Sequence, residues 1–225
     1  MQETKSKWNP VVDLMKGKKE IELGQYASYW FHKTPRRMLH SLSYYKFAAK
    51  LIGGGKKVLD IGCNEGIGTY VLAKECGYAK GIDFDEEALE IANKNFPESN
   101  ISFEVKDALN QRENVQYDAV VNFDVIEHIY PENVPSFFAS IKDALTDTGM
   151  AVIGTPSKIS QEFASDVSKK GHVNIYSPNR LIAEMKSHFE FVFLFSANDE
   201  LVHTGFHELA HYLIAVGTKK ITQSK

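Results

Sequence analysis

A chain of 225 residues with 26 lysines and arginines against 29 aspartates and glutamates is close to neutral and long enough to bury one full core. Its slightly acidic balance, with a pI near 6.2, argues against a protein built to coat nucleic acid. Two cysteines make no disulfide framework, no apolar run reaches membrane-spanning length and no secretion signal is recognisable, so a cytoplasmic protein with reduced thiols and no membrane insertion is expected.

Residues Met1 to Gly24 carry many charges and little periodicity and read as a loosely ordered lead. Tyr26, Tyr29, Trp30, Phe31 and His32 then form an aromatic cluster. Thr34-Pro35 has the form of an N-cap followed by proline at the first helical position. Met38, Leu42, Tyr45, Ala49 and Ile52 follow at alternating spacings of four and three, which gives a helix one apolar face. Gly53-Gly54-Gly55 ends it. Two uses fit this helix: covering one edge of the fold, or serving as a lid whose aromatics and Lys33, Arg36 and Arg37 border a ligand.

Lys57 to Ile61 reads as a strand buried on both faces, and it breaks into Gly62-Cys63-Asn64-Glu65-Gly66-Ile67-Gly68 before an amphipathic segment. Strand, glycine turn and helix bring a nucleotide-like ligand against bare backbone and a helix N-terminus. A dinucleotide fingerprint wants G-x-G-x-x-G, and Asn64 stands where its middle glycine would be, which disfavours an oxidoreductase using a nucleotide cofactor. The order Asp-x-Gly-Cys-x-x-Gly instead resembles the first motif of the class I methyltransferases that use S-adenosylmethionine, with Asn64 as the departure. Asparagine enters the left-handed backbone region more readily than most other residues.

Ala79 to Phe84 is the second predicted strand. Asp83 closes it roughly 20 residues beyond the glycine turn, where an acid accepts ribose hydroxyls. Asp85, Glu86 and Glu87 already supply a negative first turn for the next helix, which leaves Asp83 free. The third strand, Ile101 to Val105, ends in Lys106-Asp107-Ala108, so two successive strands close on an acid. Tyr117 to Phe123 is the fourth, and the run into Asp124-Val125-Ile126-Glu127-His128 resembles that of the methyltransferase branch containing the ubiquinone-biosynthesis O-methyltransferases. Pro131 opens a helix that Gly149 ends, Met150 to Gly154 is the fifth strand, and Ser160 to Lys170 is a loop or partial helix. Ser177-Pro178 starts the last helix. Glu190 to Phe195 and His211 to Val216 are the sixth and seventh strands.

The expected fold is therefore α/β: a Rossmann-like, doubly wound, seven-stranded sheet with an N-terminal helical extension. Residues 1–55 form the lead and helical lid, 56–219 the cofactor-binding domain and 220–225 a polar tail. The resemblance implies S-adenosylmethionine as cofactor, with Gly62, Cys63 and Asn64 near its methionine part, Asp83 at the ribose, and Phe84, Asp107 and Ala108 at the adenine. Asp60 and Phe123 complete the cofactor set. The acceptor is a small hydroxylated metabolite, a sugar or a glycan precursor, with an amine as alternative and no nucleic-acid partner. A cofactor-binding regulator without turnover is a third reading. His172 is the candidate general base, and His128 orients the loop beneath the methionine end. No metal is assigned, although Asp124, Glu127 and His128, with His172 as an optional fourth member, form a set that in some O-methyltransferases with such a run holds magnesium. His207-Glu208-Leu209-Ala210-His211 matches the H-E-x-x-H zinc pattern, which works only on a helix and here runs into a β-rich stretch. A loop on the ligand side is expected there, with His203 or His207 near the substrate entrance.

Overall fold

A computed structural model of the chain describes residues 2–110, 113 and 115–221. Strands β1 (Lys56–Ile61), β2 (Gly77–Asp83), β3 (Ile101–Val105), β4 (Tyr117–Phe123), β5 (Leu145–Pro156), β6 (Phe189–Asn198), β7 (Leu201–His203) and β8 (Tyr212–Lys220) make one sheet in the order β3-β2-β1-β4-β5-β8-β6-β7. β1 to β5 run parallel, β8 lies antiparallel between β5 and β6, and β7 turns back along β6. The expected seven strands become eight, because β7 is a three-residue edge strand, too short to show a period of two. It begins two residues after β6, past Asp199 in the left-handed region at φ 53°.

The helices are α1 (Gln2–Met15), α2 (Gln25–Lys33), α3 (Arg36–Ile52), α4 (Ile67–Cys76), α5 (Glu86–Asn95), α6 (Val134–Ala144), α7 (Asp166–Gly171) and α8 (Pro178–His188). One face of the sheet carries α3 and α4, with Tyr45, Ala49, Leu72 and Ala73 buried against Val58, Val121 and Val152. The other carries α6 and α8, whose Phe137, Phe138, Ile141, Leu181 and Met185 pack over Leu59, Val120 and Ile153. The apolar strands buried on both faces are the physical reason the central segments lack alternation.

Several expectations change in detail. The lead is helical from Gln2 to Met15, with Trp8, Val12 and Met15 at helical spacing but exposed; Met1 lies outside the described residues. The aromatic cluster is itself a helix, so Thr34 terminates α2 and Pro35 precedes α3 without a side-chain cap. α6 ends at Ala144 rather than at Gly149, which lies within β5. The segment 160–170 holds the end of a 3-10 turn, Lys158–Phe163, and most of α7. β8 reaches Lys220, and positions 222–225 of the polar tail lie outside the described residues. Between β3 and β4 no helix occurs among the described residues. There Lys80 and Lys106 converge on Glu113, whose side chain is 3% exposed and also accepts from Tyr117 Oη at 3.0 Å. No helix of the described residues is long and apolar enough to cross a membrane.

Candidate active site

The sheet order reverses at β1: the chain runs outward to β2 and β3, then returns to β4 on the other side of β1. In an open α/β sheet the crevice at such a switch point is where ligands bind. The residues following β1 and β4 meet there. Gly62 (φ 79°) turns the chain out of β1, and the amides of Gly62 and Cys63 both donate to Ile82 O at 2.8 and 3.1 Å. A Cβ on Gly62 would overlap Val125 Cγ2, so the turn needs glycine for space as well as for its positive φ. Asn64 takes φ 49°, as the sequence departure allows, and its side-chain oxygen accepts from Glu65 N at 2.7 Å.

Behind the turn, Asp60 is fully buried. Its carboxylate accepts from Thr69 Oγ1 at 2.6 Å and Tyr45 Oη at 3.2 Å, which ties β1 to both α4 and α3. Burial pushes its pKa up to about 7, against the opposing pull of those two hydrogen bonds. Asp60 thus braces the turn from the interior, and its carboxylate does not face the cleft. Asp83 was expected to be free. Its Oδ2 instead accepts the Asn64 amide at 2.8 Å and its Oδ1 the Asp85 amide at 3.0 Å, while Asp85 caps α5 through Ala88 N at 3.1 Å. A carboxylate has about four acceptor sites, so Asp83 retains capacity for further donors. Phe84, 83% exposed, stands beside it. Asp107 lies on the surface, accepting from Leu109 N at 2.9 Å, with Ala108 next to it at the end of β3.

A cleft of about 870 Å³, counting its open mouth, lies between the glycine turn, Phe123-Asp124 and the helices α2 and α3. The C-terminal half of α3 is core, while Arg37, Met38, Ser41 and Leu42 line the cleft; of the three basic residues expected at a ligand, Lys33 and Arg36 are not in its lining. Tyr45 packs edge-on against Phe123 at 5.0 Å, and Tyr44 stacks on Tyr212 at 4.2 Å, joining α3 to the sheet end. Among the described residues lining the cleft, Arg37 is the only cation, and its guanidinium lies 4.2 Å from the Trp30 ring. On the β4 side the cleft carries Asp124, held in the left-handed region at φ 57°. Glu65 also borders it, bonded to the amides of Tyr26 and Ala27. Sequence reasoning missed Glu65 and left Arg37 as one of three loose candidates, because their partners lie on another helix.

His128 and His172 sit beyond Asp124 and do not line this cleft. Their rings meet edge-on at 5.0 Å; His128 Nδ1 lies 2.9 Å from Gly171 O and His172 Nδ1 lies 3.0 Å from Gln161 Oε1. Burial, then the neighbouring His128, holds the His172 pKa below its ordinary value, with Asp124 opposing, so its neutral form is favoured. Glu127 is buried between them and the sheet. Its Oε2 accepts from Thr155 Oγ1 at 3.0 Å, while Oε1 has no hydrogen-bond partner among the described residues, and burial with the nearby Asp124 raises its pKa strongly. One donor atom from each of Glu127, His128 and His172 falls within 4.8 Å of the others, a set with the chemistry to hold a divalent cation. The H-E-x-x-H match dissolves: His207–Leu209 is a 3-10 turn, His207 Nδ1 is 2.6 Å from Ser196 Oγ, and His211 sits outside any helix. His203 is likewise engaged within its own loop, accepting from Gly205 N at 2.9 Å.

Residues 58–149 match the family model described as a methyltransferase domain. A probable S-adenosylmethionine-dependent methyltransferase of Mycobacterium tuberculosis is 26% identical over 151 residues, 67% of this chain and 51% of that protein. A ubiquinone biosynthesis O-methyltransferase of Burkholderia thailandensis is 33% identical over 117 residues, 44% of this chain and 50% of its own. The chain thus spans about half the length of these curated relatives. In fold it resembles a TehB-like S-adenosylmethionine-dependent methyltransferase of Corynebacterium glutamicum (TM-score 0.65, 21% identity, 87% of this chain and 96% of that one). It also resembles the N-methyltransferase NodS of Bradyrhizobium japonicum (TM-score 0.56, 19% identity, 84% and 96%). Residues 58–149, which hold the glycine turn at the sheet switch point, thus match a methyltransferase domain, and the relatives similar to this chain over that stretch are named as S-adenosylmethionine-dependent methyltransferases.

Proposed function

We propose that this chain transfers the methyl group of S-adenosylmethionine to a hydroxyl of a small metabolite, sugar or glycan precursor. The observation that carries the reading is the cleft at the β1/β4 switch point, with a bare glycine turn on one wall and Arg37 and Asp124 facing it. An α-amino acid is a zwitterion, and Arg37 and Asp124 on the lining of one cleft suit its carboxylate and ammonium. In this reading Gly62, Cys63 and Asn64 lie along the methionine part, Asp83 receives the ribose hydroxyls, and Phe84, Asp107 and Ala108 border the adenine. Phe123 closes the cleft floor, and Asp60 supports the turn from behind.

The sulfonium is already activated, so the protein's main task is to align an acceptor oxygen behind the methyl carbon for in-line displacement. The neutral imidazole of His172 takes the acceptor's proton as the methyl arrives, and His128 beside it keeps that ring in place. His172 lies outside the lining of the cleft, and its Nδ1 is 3.0 Å from Gln161 Oε1, which leaves Nε2 as the nitrogen to take the proton. The test is transfer of labelled methyl from S-adenosylmethionine to a panel of hydroxylated acceptors. Activity on a hydroxyl that falls about 10²–10⁴-fold in His172→Ala, with cofactor affinity kept, is the expected result. Transfer to amines alone would overturn the hydroxyl assignment.

A second reading rests on the unpartnered Glu127 Oε1. Glu127, His128 and His172 would then hold a divalent cation, which when bound lowers the acceptor's pKa as a Lewis acid. Activity lost on chelation and restored by magnesium distinguishes this reading from a metal-free histidine base.

A further inference from the structure

Glu65 follows the left-handed Asn64 in the turn after β1 and is only 5% exposed. Its oxygens divide between two backbone donors far back in the chain: Oε1 accepts from Tyr26 N at 3.0 Å and Oε2 from Ala27 N at 2.9 Å. These are the second and third residues of α2, whose opening amides have no partner within the helix. α2 carries no cap of its own, because Gly24 occupies the N-cap position. A Cβ on Gly24 would overlap the Glu65 carboxylate, so glycine there admits the remote one. A serine or aspartate at that position would have satisfied the amides locally. The chain instead draws its cap from the turn that borders the cleft.

The far side of the same helix turn holds Arg37. The Tyr26 phenol accepts from Arg37 Nη2 at 2.9 Å, and the guanidinium lies 4.2 Å from the Trp30 ring. Contacts therefore run without a gap from Glu65 to the α2 N-terminus, through Tyr26 and Trp30, to Arg37 on the lining of the cleft. The lead before α2 is tied separately to α5: Glu22 N donates to Asn95 Oδ1 at 3.1 Å and Asn95 Nδ2 to Glu22 O at 2.8 Å. That second tether keeps the lead attached when the Glu65 contact is removed.

We propose that Glu65 is a positioning residue, which docks α2 on the glycine turn so that Tyr26 and Trp30 set Arg37 to receive the carboxylate of the bound cofactor. The inference rests on the cofactor reading above and deepens it. A helix cap with no further role would stabilise the fold and leave ligand discrimination untouched, and that difference is measurable.

The experiment compares two ligands by calorimetry: S-adenosylhomocysteine, which carries the carboxylate, and 5′-methylthioadenosine, which shares the adenosine and sulfur but lacks the amino-acid part. Glu65→Gln keeps the size but offers one acceptor and an opposing amide group to the two N–H donors. It is expected to weaken S-adenosylhomocysteine about tenfold, the loss of one well-placed ionic hydrogen bond, and to leave 5′-methylthioadenosine unchanged. Gly24→Ala, which displaces the carboxylate from the other side, is expected to do the same. Arg37→Gln should show the same selectivity, and adding Glu65→Gln to it should cost nothing further, because both act through one contact. Equal weakening of both ligands, no weakening of either, or additive losses in the double variant would overturn the proposal. A wild-type chain that binds neither compound would overturn the cofactor reading itself, a result distinguishable from the others before any variant is made.

Discussion

Asp83 stitches the glycine turn to the start of α5 through the amides of Asn64 and Asp85, and in the proposed function its remaining acceptor capacity takes the ribose hydroxyls. The sequence read Asp85, Glu86 and Glu87 together as a negative first turn and Asp83 as free; Asp85 is the cap of α5, and Asp83 satisfies the Asn64 amide. Asp83→Asn keeps one carbonyl acceptor and loses the charge. It should weaken binding of S-adenosylhomocysteine by about 1.5–3 kcal/mol, read by calorimetry. Unchanged affinity in the folded variant would remove Asp83 from the cofactor site.

At the scale of elements, the approach of α3 to α4 is set by Gly68, where a Cβ would overlap the Tyr45 ring. Tyr45 cannot yield easily, since its hydroxyl holds the buried Asp60 and its ring packs on Phe123. Gly68→Ala should therefore destabilise the fold by about 1–3 kcal/mol through overpacking, despite alanine's better helix propensity. A urea midpoint equal to or above that of the wild type would show that α3 has room to move. The β3–β4 connection poses the opposite problem, since it has no helix among the described residues. Glu113 pairs there with Lys80 and Lys106, its carboxylate 3% exposed and the two lysines 14% and 22%. Glu113→Ala leaves two lysines facing each other and should cost about 3 kcal/mol, near the lower end for breaking a buried pair, because Glu104 still contacts both. Loss of under about 0.5 kcal/mol in denaturant titration would place the pair among solvated surface bridges.

Across the whole molecule, the buried Asp60 makes stability depend on pH. Its folded pKa of about 7 stands above the ordinary 3.8, so the folded state binds the proton more tightly than the unfolded chain. That contribution is fully present below pH 3.8 and is lost as pH rises through about 7. Glu127, raised in the same direction by burial, adds to the slope. Urea midpoints measured from about pH 5 to pH 8 should therefore fall with rising pH from these groups, and Asp60→Asn should flatten the fall. A slope identical in Asp60→Asn and wild type would show that Asp60 does not carry it.

The periodicity of single segments and the spacing of glycines and acids were enough to read five parallel strands, the turn after β1 and the acids closing β2 and β3, because those features are local in sequence. Ser177 capping α8 through Arg180 N and Asn64 in the left-handed region were legible for the same reason. The eighth strand, the helical lead and the lack of a helix between β3 and β4 among the described residues were not, since a three-residue edge strand is too short to show a period, the lead's charges outweigh its few apolar residues, and an ion-paired loop has no period of its own. Tertiary structure alone decided which groups meet: Glu65 with the amides of Tyr26 and Ala27, Tyr45 with Asp60, Glu127 with His128 and His172. Those partners lie between 15 and 45 residues apart in the chain, apart from the adjacent Glu127 and His128, and only the closing of the sheet brings their hydrogen-bonding groups within reach.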